Sequence, residues 1–368
     1  MIVTGTSPGS TDPRSRPPSR PRSRPVQLLA VLGPDYTLFF VFLFALIGLG
    51  LGYGAHWVWK EGPIYLSAFA AFIMVLVRFS SDARAIIALP SARREFASAA
   101  SGILRDFGPL FLVAIVFENL ETYTGLIRKA PIDDALYKLD LALFGVEPTV
   151  WMSRLDSPLL TDWFALAYGL YLITPLVLAV FLLARGRRHD FREMSTAVII
   201  QMCVGFVLFV LFPAGPPRFY DAFVHPAAGT VGFEPPILHG LFGLYEFQQG
   251  GFDTVDPLMT RSAFPSLHCS LGLLTIIYGW RFSDAVMPRF PRLYFWIAMP
   301  LAVSLWVSTV YLRHHWLPDI AAGLALGTFA CWASPALRRN WPRAKMPVLA
   351  TATTLPVADD GVPLEANG

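Results

Sequence analysis

Long apolar runs, separated by short charged or Pro/Gly-rich segments, make up most of the chain. Several of these runs reach or exceed the roughly 18 residues that indicate a helix crossing a bilayer. Eight spans are predicted on this basis, at 35–59, 63–79, 107–127, 162–184, 195–213, 264–280, 293–313 and 317–337. The predicted fold class is therefore all-α, a polytopic membrane helical bundle with about eight transmembrane helices.

The overall composition supports this prediction. Of the 368 residues, 54% are hydrophobic and only 15% are charged, whereas about a quarter of the residues in a soluble domain are charged. The net charge of +3 is small and the basic residues are spread along the chain, so we expect no nucleic-acid partner. The three cysteines all lie inside apolar runs, which predicts neither a disulfide framework nor a cysteine metal site.

The two ends of the chain differ from the apolar centre. Residues 1–26 are rich in Arg, Pro and Ser, so we expect a disordered cytoplasmic tail. An N-terminal transmembrane hairpin with a basic cytoplasmic loop is predicted for 27–104, and a membrane catalytic domain for 105–337. Residues 338–368 are predicted to be cytoplasmic and largely disordered.

The distribution of Lys and Arg predicts the orientation, because cytoplasmic loops carry an excess of both. Of the 29 basic residues, 21 fall on the same side as the N-terminus. We therefore expect both termini in the cytoplasm and the long 214–262 segment outside it. Frequent Ala, Arg and Pro are typical of a GC-rich bacterial genome, so the expected location is a bacterial cell membrane.

One extracytoplasmic segment, about 128–160, has its own helical pattern. Its apolar residues at helical spacing are Ile132, Leu136, Leu139 and Leu143, followed by Trp151. The pattern fits a helix lying in the membrane interface, and it fits a re-entrant piece packed on the bundle equally well.

Ionisable residues cluster at the outer ends of three predicted spans. Placing an ionisable side chain within or close to the bilayer costs free energy, so such residues indicate a functional site by default. His315 and Asp319 are four residues apart, so a carboxylate can hold one imidazole nitrogen while the other faces a substrate. His268 comes from a different span. Three arginines belong to the same outer layer, namely Arg218, Arg261 and Arg313.

These residue types favour phosphoryl transfer over acyl transfer. One histidine can attack phosphorus while the other protonates the leaving oxygen, and the donor fork of arginine matches phosphate oxygens. Because arginines can neutralise the transferred group, we expect neither a metal nor a cofactor. A transporter would show repeated halves, and a haem site would leave the arginines and Asp319 unused.

Two motifs at these positions resemble those of the type 2 phosphatidic acid phosphatase (PAP2) superfamily. Pro265-Ser266-Leu267-His268 is similar to its second motif, Pro-Ser-Gly-His, in the form with leucine that is typical of the inositol phosphorylceramide synthase branch. Ser308-Thr309-x5-His315-x3-Asp319 is similar to the third motif, Ser-Arg-x5-His-x3-Asp. Because Thr309 replaces the motif arginine, either Arg313 or Arg261 is expected to supply its charge.

The rest of the resemblance, over about 105–335, is weaker. The first motif, Lys-x6-Arg-Pro, is replaced by Phe212-Pro-Ala-Gly-Pro-Pro-Arg218, which resembles the substitute found in that branch. Asp140-x2-Leu143-Phe144-Gly145-x2-Pro148 is similar to another segment of the same branch.

The resemblance implies a PAP2-type catalytic core with assigned roles. His315 would be the nucleophile, Asp319 its orienting carboxylate, and His268 the general acid and later the base. The implied phosphate-binding residues are Arg218, Ser266, Arg261, Arg313 and Ser308. His314 does not fit the four-residue spacing, so we interpret it as an interfacial or supporting histidine.

The implied activity is that of an integral-membrane phosphotransferase with a phospholipid or lipid phosphate as substrate. A polyol such as inositol would accept the phosphoryl group from the phosphohistidine. If water is the acceptor, the protein is instead a phosphatase of lipid phosphates or polyprenyl (di)phosphates.

Overall fold

The computed structural model describes residues 24–55, 92–224, 238–249 and 261–342. Helices dominate these ranges, and the only β pairing in them is one isolated bridge between Ala214 and Ser262. The α-helices are α1 Arg24–Tyr53, α2 Ala92–Asn119, α3 Asp133–Phe144, α4 Pro148–Met152, α5 Pro158–Gly169, α6 Ile173–Ala184, α7 Arg188–Leu211, α8 Pro217–Val224, α9 Leu244–Gln249, α10 Leu267–Phe282, α11 Leu293–Tyr311 and α12 Leu317–Asn340. The all-α prediction is confirmed.

The chain divides into two compact units. Leu32–Trp341 forms one unit and holds every feature discussed below. The other consists of Met1–Val31 and Pro342–Gly368, of which the structure describes 24–31 and 342.

Five helical segments in the described ranges are long and apolar enough to cross a membrane. They are Arg24–Tyr53, Pro158–Ala184, Arg188–Leu211, Leu293–Tyr311 and Leu317–Asn340. These segments indicate a multi-pass membrane protein. The predicted span at 107–127 overlaps the end of α2 and the one at 264–280 coincides with α10, which has 16 residues. The predicted span at 63–79 lies outside the described residues, so the number eight stays a prediction.

The run at 162–184 looks continuous in sequence but is two helices. α5 ends at Gly169, and α6 begins at Ile173 after a three-residue turn. Pro175 falls in the first turn of α6, where its missing N–H breaks no helical hydrogen bond. The turn includes Tyr171, which faces the candidate site described below.

Close packing of α10 on α12 fixes the centre of the bundle. A β-carbon added at Gly323 of α12 would lie 2.2 Å from the carbonyl oxygen of Ser266, and one at Gly327 would lie 2.8 Å from that of Ser270. Only glycine permits such backbone approach. α12 also packs on α7, and α10 on α11. The starts of α10 and α12 are therefore held side by side.

The segment with the helical pattern near 128–160 forms α3 and α4. Gly145, at φ +70°, ends α3 in the left-handed conformation, and its N–H donates to the Leu141 carbonyl. Leu136 and Asp140 are buried, whereas Leu143 is 63% exposed. α3 therefore packs on the bundle through a narrow face and leaves its other apolar side uncovered.

Candidate active site

His315 and Asp319 meet where α11 gives way to α12. The backbone N–H groups of His314 and His315 both donate to the carbonyl of Thr309, at 2.8 and 3.0 Å, which folds the connecting loop back on α11. Asp319 lies in the first turn of α12, and its Oδ2 accepts the N–H of Trp316 at 3.0 Å. The same oxygen lies 3.4 Å from Nδ1 of His315. The four-residue spacing thus brings the imidazole and the carboxylate together.

His268 completes the group from the second position of α10. Its Nδ1 lies 3.2 Å from Nε2 of His315. If Nδ1–H of His315 donates to Asp319, then Nε2 of His315 carries a lone pair and accepts from Nδ1–H of His268. The two histidines predicted from separate motifs are therefore in direct contact.

Ser266 ties the two motifs together through the backbone. Its N–H donates to the carbonyl of Asp319 at 3.0 Å, and its Oγ accepts the N–H of Cys269 at 3.3 Å as the N-cap of α10. The side chain is fully buried. Its visible contacts position His268 at the start of α10, and the phosphate contact expected of Ser266 stays a prediction.

Two tyrosines hold the imidazoles in place, and sequence reasoning missed both. The Tyr168 ring stacks on His268 and on His314, with centroids 4.6 and 4.5 Å apart. Tyr171 contacts His268 at 4.5 Å. The two tyrosines are three residues apart, a spacing that puts both rings on one face of a helix. This spacing is the feature of the sequence that could have indicated them. His314 is 4% exposed and belongs to this stack of rings.

Arg218 is an arginine whose charge acts on both His314 and His315. It lies in the first turn of α8, and its N–H donates to the Arg313 carbonyl at 3.3 Å. Arg313 has a φ of +58°, an uncommon conformation for a residue with a side chain. Burial, with a smaller contribution from the charge of Arg218, lowers the pKa of His315 to about 3. His315 is therefore neutral at physiological pH, with a lone pair available for attack.

The other predicted phosphate ligands lie differently. Nη1 of Arg261 donates to the carbonyl of Lys129 at 3.0 Å, on the side of the α2–α3 connection. Oγ of Ser308 donates to the carbonyl of Leu305 within α11. Within the described ranges, these side-chain hydrogen bonds of Arg261 and Ser308 go to backbone carbonyls and not to the histidines. In the described part of the chain, no three His, Cys, Asp or Glu side chains are grouped to hold a metal ion.

The segment that replaces the first motif is anchored by α3 and by the loop between α11 and α12, residues 312–316, which is called the catalytic loop after its proposed role. The N–H of Gly215 donates to Oδ1 of Asp133 at 2.8 Å, and Nε1 of Trp316 donates to the carbonyl of Gly215 at 3.1 Å. Trp316 is fully buried and follows His315 directly. The segment leading to Arg218 is thus fixed against the catalytic loop.

Asp140 is a second buried carboxylate at the start of α12. Its Oδ2 accepts the N–H of Leu317 at 3.4 Å, across 177 positions of sequence. Burial raises the pKa of Asp140 to about 7, with further contributions from the charges of Asp319 and Glu147. A carboxylate at a helix N-terminus satisfies a free N–H and suits the helix dipole. Sequence reasoning noted Asp140 only as part of a resembling segment.

Comparison with known proteins places the two histidine motifs, Asp140 and Arg218 inside a recognised region. The PAP2 superfamily matches residues 134–333. The inositol phosphorylceramide synthase of Candida albicans is 26% identical over 297 residues, which cover 74% of this chain and 57% of that protein. The chain therefore spans little more than half the length of the curated relative it matches. No solved structure gives a significant match.

Proposed function

Because the chain belongs to the PAP2 superfamily, we propose that it is an integral-membrane lipid phosphotransferase working through a phosphohistidine on His315. The observation that carries this proposal is the position of His315, between Asp319 on its Nδ1 side and His268 on its Nε2 side. A nucleophile oriented by a carboxylate and paired with a second proton carrier is the arrangement that covalent catalysis requires.

The first step cleaves the lipid phosphate. The lone pair on Nε2 of His315 attacks phosphorus, and the bond between phosphorus and the lipid oxygen breaks. The lipid phosphate enters as a monoanion and gives its proton to His268; the His268 imidazolium passes that proton to the lipid oxygen, so the lipid leaves as an alcohol and His268 is neutral again. Asp319 stabilises the positive charge that develops on the His315 ring.

The contact between the two rings must open for this step. A nucleophile approaches its target atom at about 3–3.5 Å, and a general acid reaches its oxygen at about 2.6–3.2 Å. Phosphorus and its leaving oxygen therefore cannot fit between nitrogens that are 3.2 Å apart. The His268 ring moves aside as the phosphate enters.

The second step transfers the phosphoryl group to an acceptor alcohol. His268, now neutral, removes the hydroxyl proton; the new oxygen–phosphorus bond forms and the nitrogen–phosphorus bond breaks. We propose a polyol such as inositol as the acceptor. This choice is supported by the similarity to a protein named inositol phosphorylceramide synthase and by Leu267 in the second motif.

Arginine provides the charge that this chemistry needs. Phosphoryl transfer depends mainly on positioning and on neutralising the transferred group. Arg218 is the best candidate, because its charge already acts on His315. We further propose that Arg313, Arg261, Ser266 and Ser308 assist in binding the phosphate, and that the site faces the extracytoplasmic side with both termini in the cytoplasm.

The fate of the phosphoryl group tests the proposal. Purified protein is incubated with lipid phosphates radiolabelled at phosphorus, with and without inositol, next to the His315→Ala variant. Label in inositol phosphate, dependent on His315, supports the transferase. Label only in inorganic phosphate identifies the phosphatase alternative, and equal release by the variant overturns the mechanism.

A further inference from the structure

An apolar groove of about 600 Å³ runs between the α3–α4 pair and the facing ends of α11 and α12. Phe144 and Val146 form one wall. The other wall consists of Val307 from α11 and of Leu317 and Ile320 from α12. Its volume falls in the range of about 300–1,000 Å³ that is usual for small-molecule sites.

The chemistry of the lining indicates what the groove holds. Every lining residue is apolar, with two tryptophans among them, Trp151 and Trp306. Phe144 is 52% and Val307 38% exposed, on helices that belong to a membrane protein. With no charge or carboxamide to orient a polar ligand, the groove suits a hydrocarbon chain.

The groove adjoins the catalytic loop. Its residues Val310 and Leu317 stand immediately before and after residues 311–316, which include His315. Ile320 follows Asp319 directly. Trp306 also packs against the cluster of buried residues that contains Tyr168, the ring stacked on His268. A chain in the groove therefore lies along the elements that carry the catalytic groups.

We propose that this groove binds one acyl chain of the lipid substrate and so positions its phosphate for His315. The inference rests on the proposed function, since it takes the ligand to be the lipid on which the site acts. The acyl chain is favoured over a protein partner because the groove has the volume of a small-molecule site, is apolar throughout and borders the catalytic loop.

This role also accounts for the segment from Asp140 to Pro148. Asp140 fixes the start of α12, Gly145 turns the chain from α3 to α4, and Phe144 and Pro148 line the groove. One short segment thus fixes the end of the catalytic loop and also forms the groove wall that would contact the acyl chain. In the sequence, this segment was noticeable only for its resemblance to one in the inositol phosphorylceramide synthase branch, and no function was predicted for it.

A pair of tryptophan variants tests the groove. Val307→Trp fills it, whereas Val303→Trp adds the same side chain one helical turn away, at a position that is 41% exposed and does not line the groove. The ligands are linear alkyl phosphonates of increasing length, which cannot be cleaved. Their Kd is measured by calorimetry on protein held in an amphipathic polymer without detergent micelles.

For the unsubstituted protein and for Val303→Trp, we expect the Kd to fall about fourfold with each added methylene, the value implied by burying hydrocarbon. For Val307→Trp the Kd should stop falling at a shorter chain and be at least about tenfold weaker for the longest ligand. Turnover of butyl phosphate, too short to fill the groove, should stay within about twofold of that of the unsubstituted protein for Val303→Trp.

Two results would overturn the groove proposal. A Val307→Trp series parallel to that of the unsubstituted protein would mean that the groove holds only bulk membrane lipid or a second copy of the chain. Equal weakening at every chain length would indicate a general structural effect. The binding series does not depend on turnover, so a normal series without cleavage of any phosphate would refute the proposed function and leave the groove standing.

Discussion

Nδ1 of His268 and Nε2 of His315 lie 3.2 Å apart, and in the proposed mechanism phosphorus has to enter between them. His268 is also held from its other sides by the rings of Tyr168 and Tyr171. Entry of the phosphate therefore displaces a ring that is both hydrogen-bonded and stacked. The proposed nucleophile, His315, and the proposed acid, His268, are therefore in direct contact before the phosphate binds.

The two histidines should fail at different steps. With p-nitrophenyl phosphate the leaving group needs no acid, so His268→Ala should still form the phosphoenzyme but break it down about 100-fold more slowly or worse, because the base is missing. His315→Ala should form none. A burst of nitrophenol and an acid-labile phosphoprotein measure the two steps.

The unsubstituted protein is the control, and it should turn over without accumulating label. Covalent label on His315→Ala, or the absence of a burst from His268→Ala, would contradict the assignment of nucleophile and acid.

Tyr168 should matter through its ring and not through its hydroxyl. Tyr168→Phe keeps the stack on His268 and His314, so kcat should stay within about threefold. Tyr168→Leu removes the stack, and kcat should fall by at least about tenfold with little change in KM, since small misplacements of a catalytic group are costly. Steady-state kinetics measure both, and thermal unfolding checks the fold. Equal kcat for the two variants would show that the stack does not position His268.

Asp140 should act as a hydrogen-bond acceptor for the start of α12. Asp140→Asn retains an acceptor for the N–H of Leu317 and should keep most of the activity. Asp140→Leu leaves that buried N–H unpaired, which costs about 1–3 kcal/mol, and should reduce kcat at least about tenfold. Rescue by asparagine is the decisive comparison. A leucine variant as active as the asparagine variant would remove Asp140 from the catalytic architecture.

Local patterns explain what the sequence predicts correctly. The apolar runs predict α7, α11 and α12, because burial in lipid demands continuous hydrophobicity. Asp319 lies in the first turn of α12 and His315 lies two residues before that helix begins, so four-residue spacing is sufficient to place them together. Ser266 has a local geometry too, since an N-cap and the N–H that it accepts are only three residues apart.

Contacts between distant elements are what the sequence leaves open. Tyr168 meets His268 across 100 positions, and it does so because an apparently continuous apolar run turns between α5 and α6. Asp140 reaches Leu317 across 177 positions. Hydropathy reports that such residues are in an apolar environment, but it does not tell which helix lies opposite them.

Buried His314 should make stability depend on pH in a definite direction. Burial lowers its pKa well below the usual range, helped by the charges of Arg218, His315 and His268. Below about pH 6.5 the unfolded chain binds a proton that the folded chain excludes, so the free energy of unfolding falls as pH drops. The loss is about 1.4 kcal/mol per pH unit for one group.

His314→Phe keeps a ring against Tyr168 and removes the titration. Between pH 6.5 and about 4.5, the free energy of unfolding of the variant should therefore fall less steeply than that of the unsubstituted protein. The difference in slope should be up to about 1.4 kcal/mol per pH unit. His189→Gln serves as the surface-histidine control, because the His189 side chain is 79% exposed. Parallel slopes for His314→Phe would refute a neutral, buried His314.

The orientation can be tested with single cysteines on opposite sides of the membrane. Phe247 in α9 is 88% exposed and Phe290, between α10 and α11, is 57% exposed. Cys203 is replaced, whereas Cys269 and Cys331 are retained because both are buried. Arg281, Arg289 and Arg292 surround Phe290 in the chain, and this excess of basic residues predicts a cytoplasmic loop. Phe247→Cys should react with a membrane-impermeant maleimide in intact cells, and Phe290→Cys only after lysis. The opposite labelling would put the catalytic histidines on the cytoplasmic side and require a lipid of the inner leaflet as substrate.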